Sequence, residues 1–332
     1  MHTPRNDHRG LQRQTQELPL QLTIFGAWMM AFGAASLFEY APNASLWFPP
    51  AGVTFAAVLL LGLRALPALW LGCLVVTLLS EQAAPRGMST AELMLAGAGF
   101  ALTHTLAYAA IALLVRARAR RSSRIRPVRD AVWFLVAGLV AAGGSSVLGG
   151  LSLSATGIMD WADARSLILP WWIGDFAGLI TIAPLLAVLL TRWAMLDGMA
   201  PPAEFRRLQI RANWSALFAQ ALPKLALLAV LTVASVAAVA LLPMQLAPLA
   251  PWLICPPVLL WIAWSENELA TLLAVASFSL LVAAVVGVAR LAAHAPALQG
   301  LVVGLAALSY LIAARRSAHR DSATAKPGRP GA

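Results

Sequence analysis

The sequence predicts an all-α fold: a polytopic helical membrane protein with eight to ten transmembrane segments and both termini in the cytoplasm. Three observations predict it. Of 332 residues, 60% are hydrophobic and only 11% charged, with a mean hydropathy of +0.76, whereas a soluble domain carries about 25% charged residues. The apolar residues fall in long blocks separated by short polar breaks. The basic residues, finally, alternate from loop to loop in the pattern that orients helices in a bilayer.

The segments follow in order. Leu18–Tyr40 comes after Arg5, Arg9 and Arg13. That is the form of a signal peptide, but the run is long for one, so an uncleaved first helix is expected. Ala51–Leu63 and Ala65–Ser80 are short and separated only by Arg64. Ala91–Val115, Ala131–Leu153 and Leu167–Leu190 are each near or above the length of a span, which takes about 20 helical residues. Leu222–Leu242, the short Pro251–Trp264, Leu269–Val288 and Ala297–Ala314 complete the set. The short segments read as thin or tilted spans, or as parts of re-entrant hairpins.

Charge tests this order. With all ten crossing and the N-terminus inside, 21 of the 24 Lys+Arg lie on the cytoplasmic side, leaving only Arg86, Arg165 and Arg290 outside. Merging one short pair into a single span would flip every later loop and destroy the bias, whereas a re-entrant pair would preserve it. Eight or ten crossings therefore fit. The domain reading is a cytoplasmic N-terminal tail at 1–17, a membrane domain at 18–316 and a disordered cytoplasmic tail at 317–332, too short for an output domain. The net charge of +10 comes from arginines beside apolar blocks and is a topology signal. No nucleic-acid partner is expected; the lipid bilayer is the first partner. The stretch Phe205–Leu217 has the pattern of a short interfacial helix.

One carboxylate is out of place. Asp175 lies about a third of the way along the Leu167–Leu190 segment, where a charge costs about 2.5–3.5 kcal/mol on insertion scales. Such a group faces a partner, a cavity or a ligand, or serves as interhelical glue. His104 is similarly placed mid-segment, and a His104–Asp175 pair would relieve the desolvation of both. Trp47, Trp171 and Trp172 stand near the outer helix ends, either as an aromatic belt or as the wall of a pocket above Asp175. Asp175, Trp171, Trp172, His104 and Trp47 are thus the candidate ligand-binding residues. Pro49 and Pro50 suit a helix start, and Gly52 follows them. Gly174 and Gly178 would admit a close neighbour, and Pro184 would kink the helix. Arg290 is a candidate counter-charge for Asp175. Trp252 through Pro256-Pro257 echoes Trp47 through Pro49-Pro50, and paired Pro-interrupted segments can mark a transporter site.

No catalytic set emerges: no metal motif, phosphate loop or defensible Ser/His/Asp order. Neither a metal nor a cofactor is expected. Cys73 and Cys255 both lie in apolar segments and provide no disulfide framework.

Two tracts together carry a resemblance. Leu46-Trp47-Phe48-Pro49-Pro50-Ala51-Gly52-Val53, followed by Leu61-Gly62 and Arg64, resembles one hallmark of the first MASE-type membrane-associated sensor domain. Trp171-Trp172-Ile173-Gly174-Asp175-Phe176-Ala177-Gly178, followed by Ala183-Pro184-Leu185-Leu186, resembles the other. The resemblance spans roughly Leu20 to Arg316. It implies a module of about eight helices in a bacterial inner membrane, coupled to a diguanylate cyclase, phosphodiesterase or histidine kinase. The run Thr103-His104-Thr105-Leu106-Ala107 departs from the family's Asn-Thr-Leu-Glu-like run, with His104 and Ala107 at the Asn and Glu positions. The expected function is a non-enzymatic module that senses a small molecule or membrane state. A separate partner, such as a diguanylate cyclase or histidine kinase, would read it, and a homo-oligomer fits the same logic. The alternative is a transporter or channel for a small solute using a buried aspartate.

Overall fold

The structure, a computed structural model, describes residues 7–41, 44–83, 87–121, 126–196, 220–239, 241, 249–288 and 291–324. Within them the chain forms ten α-helices and one two-stranded ribbon. The helices are α1 (Asp7–Ser36), α2 (Pro49–Leu61), α3 (Leu66–Ala83), α4 (Thr90–Arg121), α5 (Pro127–Ala155) and α6 (Trp161–Leu196). After them come α7 (Leu222–Val239), α8 (Leu249–Ser265), α9 (Glu268–Val288) and α10 (Ala295–Thr324). The ribbon pairs β1 (Glu39–Ala41) with β2 (Ala44–Ser45) in antiparallel sense. The Phe205–Leu217 stretch and Arg290 lie outside the described residues.

Among the described residues, seven stretches are long and apolar enough to cross a membrane, and Leu222–Ala238 and Ile254–Ser265 are shorter apolar helices. One of the seven, Pro49–Ser80, is not a single rod. The Trp28 indole N–H donates to Thr54 Oγ1 at 3.0 Å, and the same ring lies against Gly72. Eighteen straight helical residues would separate those positions by about 27 Å. One indole reaches both, so the chain turns back between α2 and α3, and α1 packs against both. The turn is Gly62–Ala65, where Gly62 has φ +69°, a left-handed conformation that favours glycine.

Arg116 on α4 closes that turn. Its guanidinium donates to the carbonyl of Leu59 at 3.1 Å, in the last turn of α2, and to that of Val58 at 3.5 Å, which also accepts the Gly62 N–H. A cation at a helix C-terminus also favours the dipole. Gln21 grips the other side, donating to the Arg64 carbonyl at 2.7 Å and accepting from the Ala68 N–H at 3.1 Å. Glu17 pairs with Arg64. We expect Arg116→Met to cost about 1–2 kcal/mol through the exposed Leu59 carbonyl, measured as an unfolding free energy in SDS titration. An unchanged value would show that the turn closes without it.

The helix α2 is the centre of the first half. Every residue from Pro49 to Leu59 is buried, enclosed by α1, α4 and α6. In the second half α7 packs on α8 and α9, and α10 packs on α8 and α9 and docks against α5 and α6. Lys224 at the start of α7 pairs with Glu266 at the end of α8. Ser317 near the end of α10 donates to Glu268 at the start of α9, at 2.8 Å. These contacts make neighbouring helices antiparallel. Glu266 is 5% exposed, so the turn between α8 and α9 holds a largely buried ion pair.

Helix α6 satisfies a carbonyl freed by its proline with a donor from α10. Pro184 within α6 has no N–H for the Ile180 carbonyl. The Tyr310 hydroxyl of α10 donates to that carbonyl at 2.7 Å. At the ends, α1 already begins at Asp7 and α10 runs on to Thr324, well into the stretches read as tails. Near that end Ser322 Oγ bonds back to the carbonyls of Ala318 and His319.

Candidate functional site

The two sequence tracts meet. The chain from Ser45 to Pro49 runs across α6 at Gly174 and Gly178. The Phe48 N–H donates to the Gly174 carbonyl at 3.1 Å. A Cβ built on Gly174 would lie 2.6 Å from the Ser45 carbonyl oxygen, and one on Gly178 would lie 1.9 Å from that of Phe48. Gly52, one turn into α2, faces the Gly178 carbonyl at 2.7 Å from its own ideal Cβ position. The glycines thus admit the segment before α2 and, at Gly178, the first turn of helix α2 itself.

Trp47 follows from that crossing. It is buried, and its indole N–H donates to Thr181 Oγ1 on α6 at 2.8 Å. Gln299 of α10 completes the anchorage. Its side-chain amide donates to the carbonyls of Leu46 at 3.2 Å and Ser45 at 3.4 Å. The segment before α2 is therefore tied to both α6 and α10.

Asp175 is 6% exposed and accepts a 2.6 Å hydrogen bond from the Tyr108 hydroxyl of α4. His104 lies one turn before Tyr108, also 6% exposed, and its Nδ1 shares a 2.8 Å bond with Ser145 Oγ of α5. Ser145 and Asp175 line the same cavity. His104 and Asp175 therefore line one cavity, the first bonded to Ser145 and the second to Tyr108, and share no hydrogen bond with each other. The buried His104 Nε2 has no hydrogen-bond partner. Helix α5 permits this closeness because its inner face is small: Gly138, Ala142, Ser145, Ser146 and Gly149 are all buried. Small residues let the flanking helices α4 and α6 approach.

These groups line a cavity of about 140 Å³ between α1, the ribbon, α3, α4, α5 and α6. Its wall is a chain of rings. Trp28 stacks on Phe32, Phe32 meets Phe48 edge-on, Phe48 and Phe100 flank His104, and Phe100 meets Trp171. Cys73, Thr77 and Ser80 of α3 add small polar groups. Glu39 stands at the rim, still open to solvent. Partial desolvation there raises its carboxyl above the usual carboxylate range.

Of the five candidate ligand-binding residues, Asp175, His104 and Trp171 line this cavity. Trp47 and Trp172 point elsewhere. The Trp172 indole N–H donates to the Leu139 carbonyl at 2.9 Å, and the ring lies over Gly143 of α5. Pro49 and Pro50 occupy the first turn of α2. Tyr108 was legible in principle, one helical turn beyond His104 on the same face. Ser145 and Gln299 carried no such signal. No group of His, Cys, Asp and Glu among the described residues could hold a metal ion.

Comparison with known proteins adds one finding. The MASE1 family model matches residues 17–320. No curated protein and no solved structure matches the chain.

Proposed function

Since the chain belongs to the MASE1 family of membrane-associated sensory domains, we propose that it senses a small molecule held in the cavity at Asp175, His104 and Trp171. The family is sensory and is not an enzyme family. The protein is a multi-pass membrane protein. In our reading eight or ten segments cross, both ends are cytoplasmic, and the membrane is a bacterial inner membrane. The arginine distribution supports that orientation.

The observation that carries the proposal is the double anchorage of the segment Ser45–Phe48. Ser45 and Phe48 line the cavity. The same segment is bonded to α6 through Gly174 and to α10 through Gln299. A molecule entering the cavity must favour one placement of this segment, and α10 is coupled to that placement. Such a ligand shifts the balance between two packings by its differential affinity. A separate signalling protein, such as a diguanylate cyclase or histidine kinase, would read the cytoplasmic end of α10, and a homo-oligomer would do so through the same surface.

The test uses spin labels at Val128 and Arg315, both exposed, near the cytoplasmic ends of α5 and α10. The native cysteines are buried and leave the labelling selective. Adding the small-molecule fraction of a cell extract is expected to shift the label distance by about 2 Å, the scale of helix displacements in switching proteins. Gln299→Leu should abolish the shift while leaving the fold intact. A filled cavity with an unchanged distance in the wild type would sink the sensory reading.

A further inference from the structure

The chemistry of the cavity selects among ligands. Two carboxylates, Asp175 and Glu39, line it, and among the described residues no lysine or arginine does. No described cation forms a salt bridge with Asp175. The third polar feature is the unpartnered Nε2 of His104, on a side chain only 6% exposed. Its character depends on the hydrogen at the other ring nitrogen. His104 Nδ1 shares one hydrogen with Ser145, and either partner can donate it. When Nδ1 carries it, Nε2 is a bare acceptor on a residue that lines the cavity. The Tyr108 proton is spent on Asp175.

The site therefore presents acceptors and negative charge, walled by aromatic rings whose faces attract cations. An anion would be repelled by the two carboxylates. A quaternary ammonium would suit the rings but leave Nε2 unpaired, at the cost of a buried unsatisfied group. A protonated amine answers all three features, with one N–H toward Asp175, one toward His104 and its carbon body against Phe100 and Trp171. The volume of about 140 Å³ is close to that of a cavity known to hold benzene, so the occupant has about six to eight non-hydrogen atoms. We propose that this cavity binds a small protonated primary amine with a compact apolar body. The assignment rests on the sensory reading and names the class of molecule sensed.

The test is calorimetric titration of the full chain in lipid nanodiscs with cyclopentylammonium chloride, cyclopentanol and sodium cyclopentanecarboxylate. The ammonium is expected to bind saturably, about tenfold or more tighter than the alcohol, with no heat from the carboxylate. Asp175→Asn should weaken the ammonium about tenfold and leave the alcohol unchanged. Glu39→Gln, at the open rim and remote from folding, should weaken it a few-fold by the same charge logic. Equal or tighter binding of the alcohol or the carboxylate would overturn the amine assignment, as would full ammonium affinity in both variants. The label pair separates the two readings. Ammonium binding with no change in the Val128–Arg315 distance brings down the sensory function and leaves the amine site. A distance change driven by the alcohol alone does the reverse.

Discussion

Gly178→Ala is expected to destabilise the protein by about 3 kcal/mol or more, the upper range for overpacking a core. The reason is local. The added methyl would lie 1.9 Å from the Phe48 carbonyl oxygen and 2.9 Å from the Pro49 nitrogen. Both are backbone atoms at the start of a buried helix and cannot rotate away. Relief would require lifting the Ser45–Pro49 segment off α6, which breaks the Phe48–Gly174 bond and loosens the Trp47–Thr181 bond. The control is Gly144→Ala on α5, where an ideal Cβ meets nothing within 4 Å. It should be neutral or stabilising by up to about 1 kcal/mol, the usual gain of alanine over glycine in a helix. Both variants would be followed by SDS titration against wild type. Equal costs would show that the crossing of the two tracts is not a tight contact.

That crossing also marks how far the sequence could be read. Helix positions were legible because apolar runs and basic flanks are properties of a continuous segment. The turn at Gly62 was legible as two short runs split by Arg64. The positive-inside argument favoured keeping them separate, and one indole touching both helices agrees. Asp175 and His104 stood out because an isolated polar group in an apolar run is conspicuous wherever it points. Their partners did not stand out. Ser145 and Gln299 are ordinary polar residues, and their importance comes only from which helices lie against them. The aromatic residues divide the same way. Trp171 faces the cavity and Trp172, its neighbour, faces α5, because consecutive helical residues diverge by about 100°. A sequence can place both near the membrane surface without saying which one turns inward. Gly174 and Gly178 were read as a helix-packing pair because four-residue spacing usually means that. Here the same spacing receives helix α2 at Gly178 and also the chain leading into it, since a bare helical groove accepts any backbone that comes close enough.

Removing the Tyr108 hydroxyl should cost more stability than removing Asp175 itself. Tyr108→Phe leaves a buried carboxylate without its 2.6 Å donor, a loss of about 1.5–3 kcal/mol for a hydrogen bond to a charged group. Asp175→Leu instead removes the group that needed solvating. Replacing buried ionic groups with apolar ones of similar volume is often neutral or stabilising. The expected order is therefore Tyr108→Phe least stable, with Asp175→Leu near wild type. The double variant should lie close to Asp175→Leu, because the phenol then has no carboxylate to serve. The cycle should give a coupling of about 1–3 kcal/mol, as expected for groups in direct contact. If Asp175→Leu proves the more damaging single change, the carboxylate is interhelical glue and the cavity loses its claim to a ligand. If Asp175→Leu keeps its stability and loses the label-distance response, folding gains nothing from Asp175. A group retained on those terms is held for what it binds.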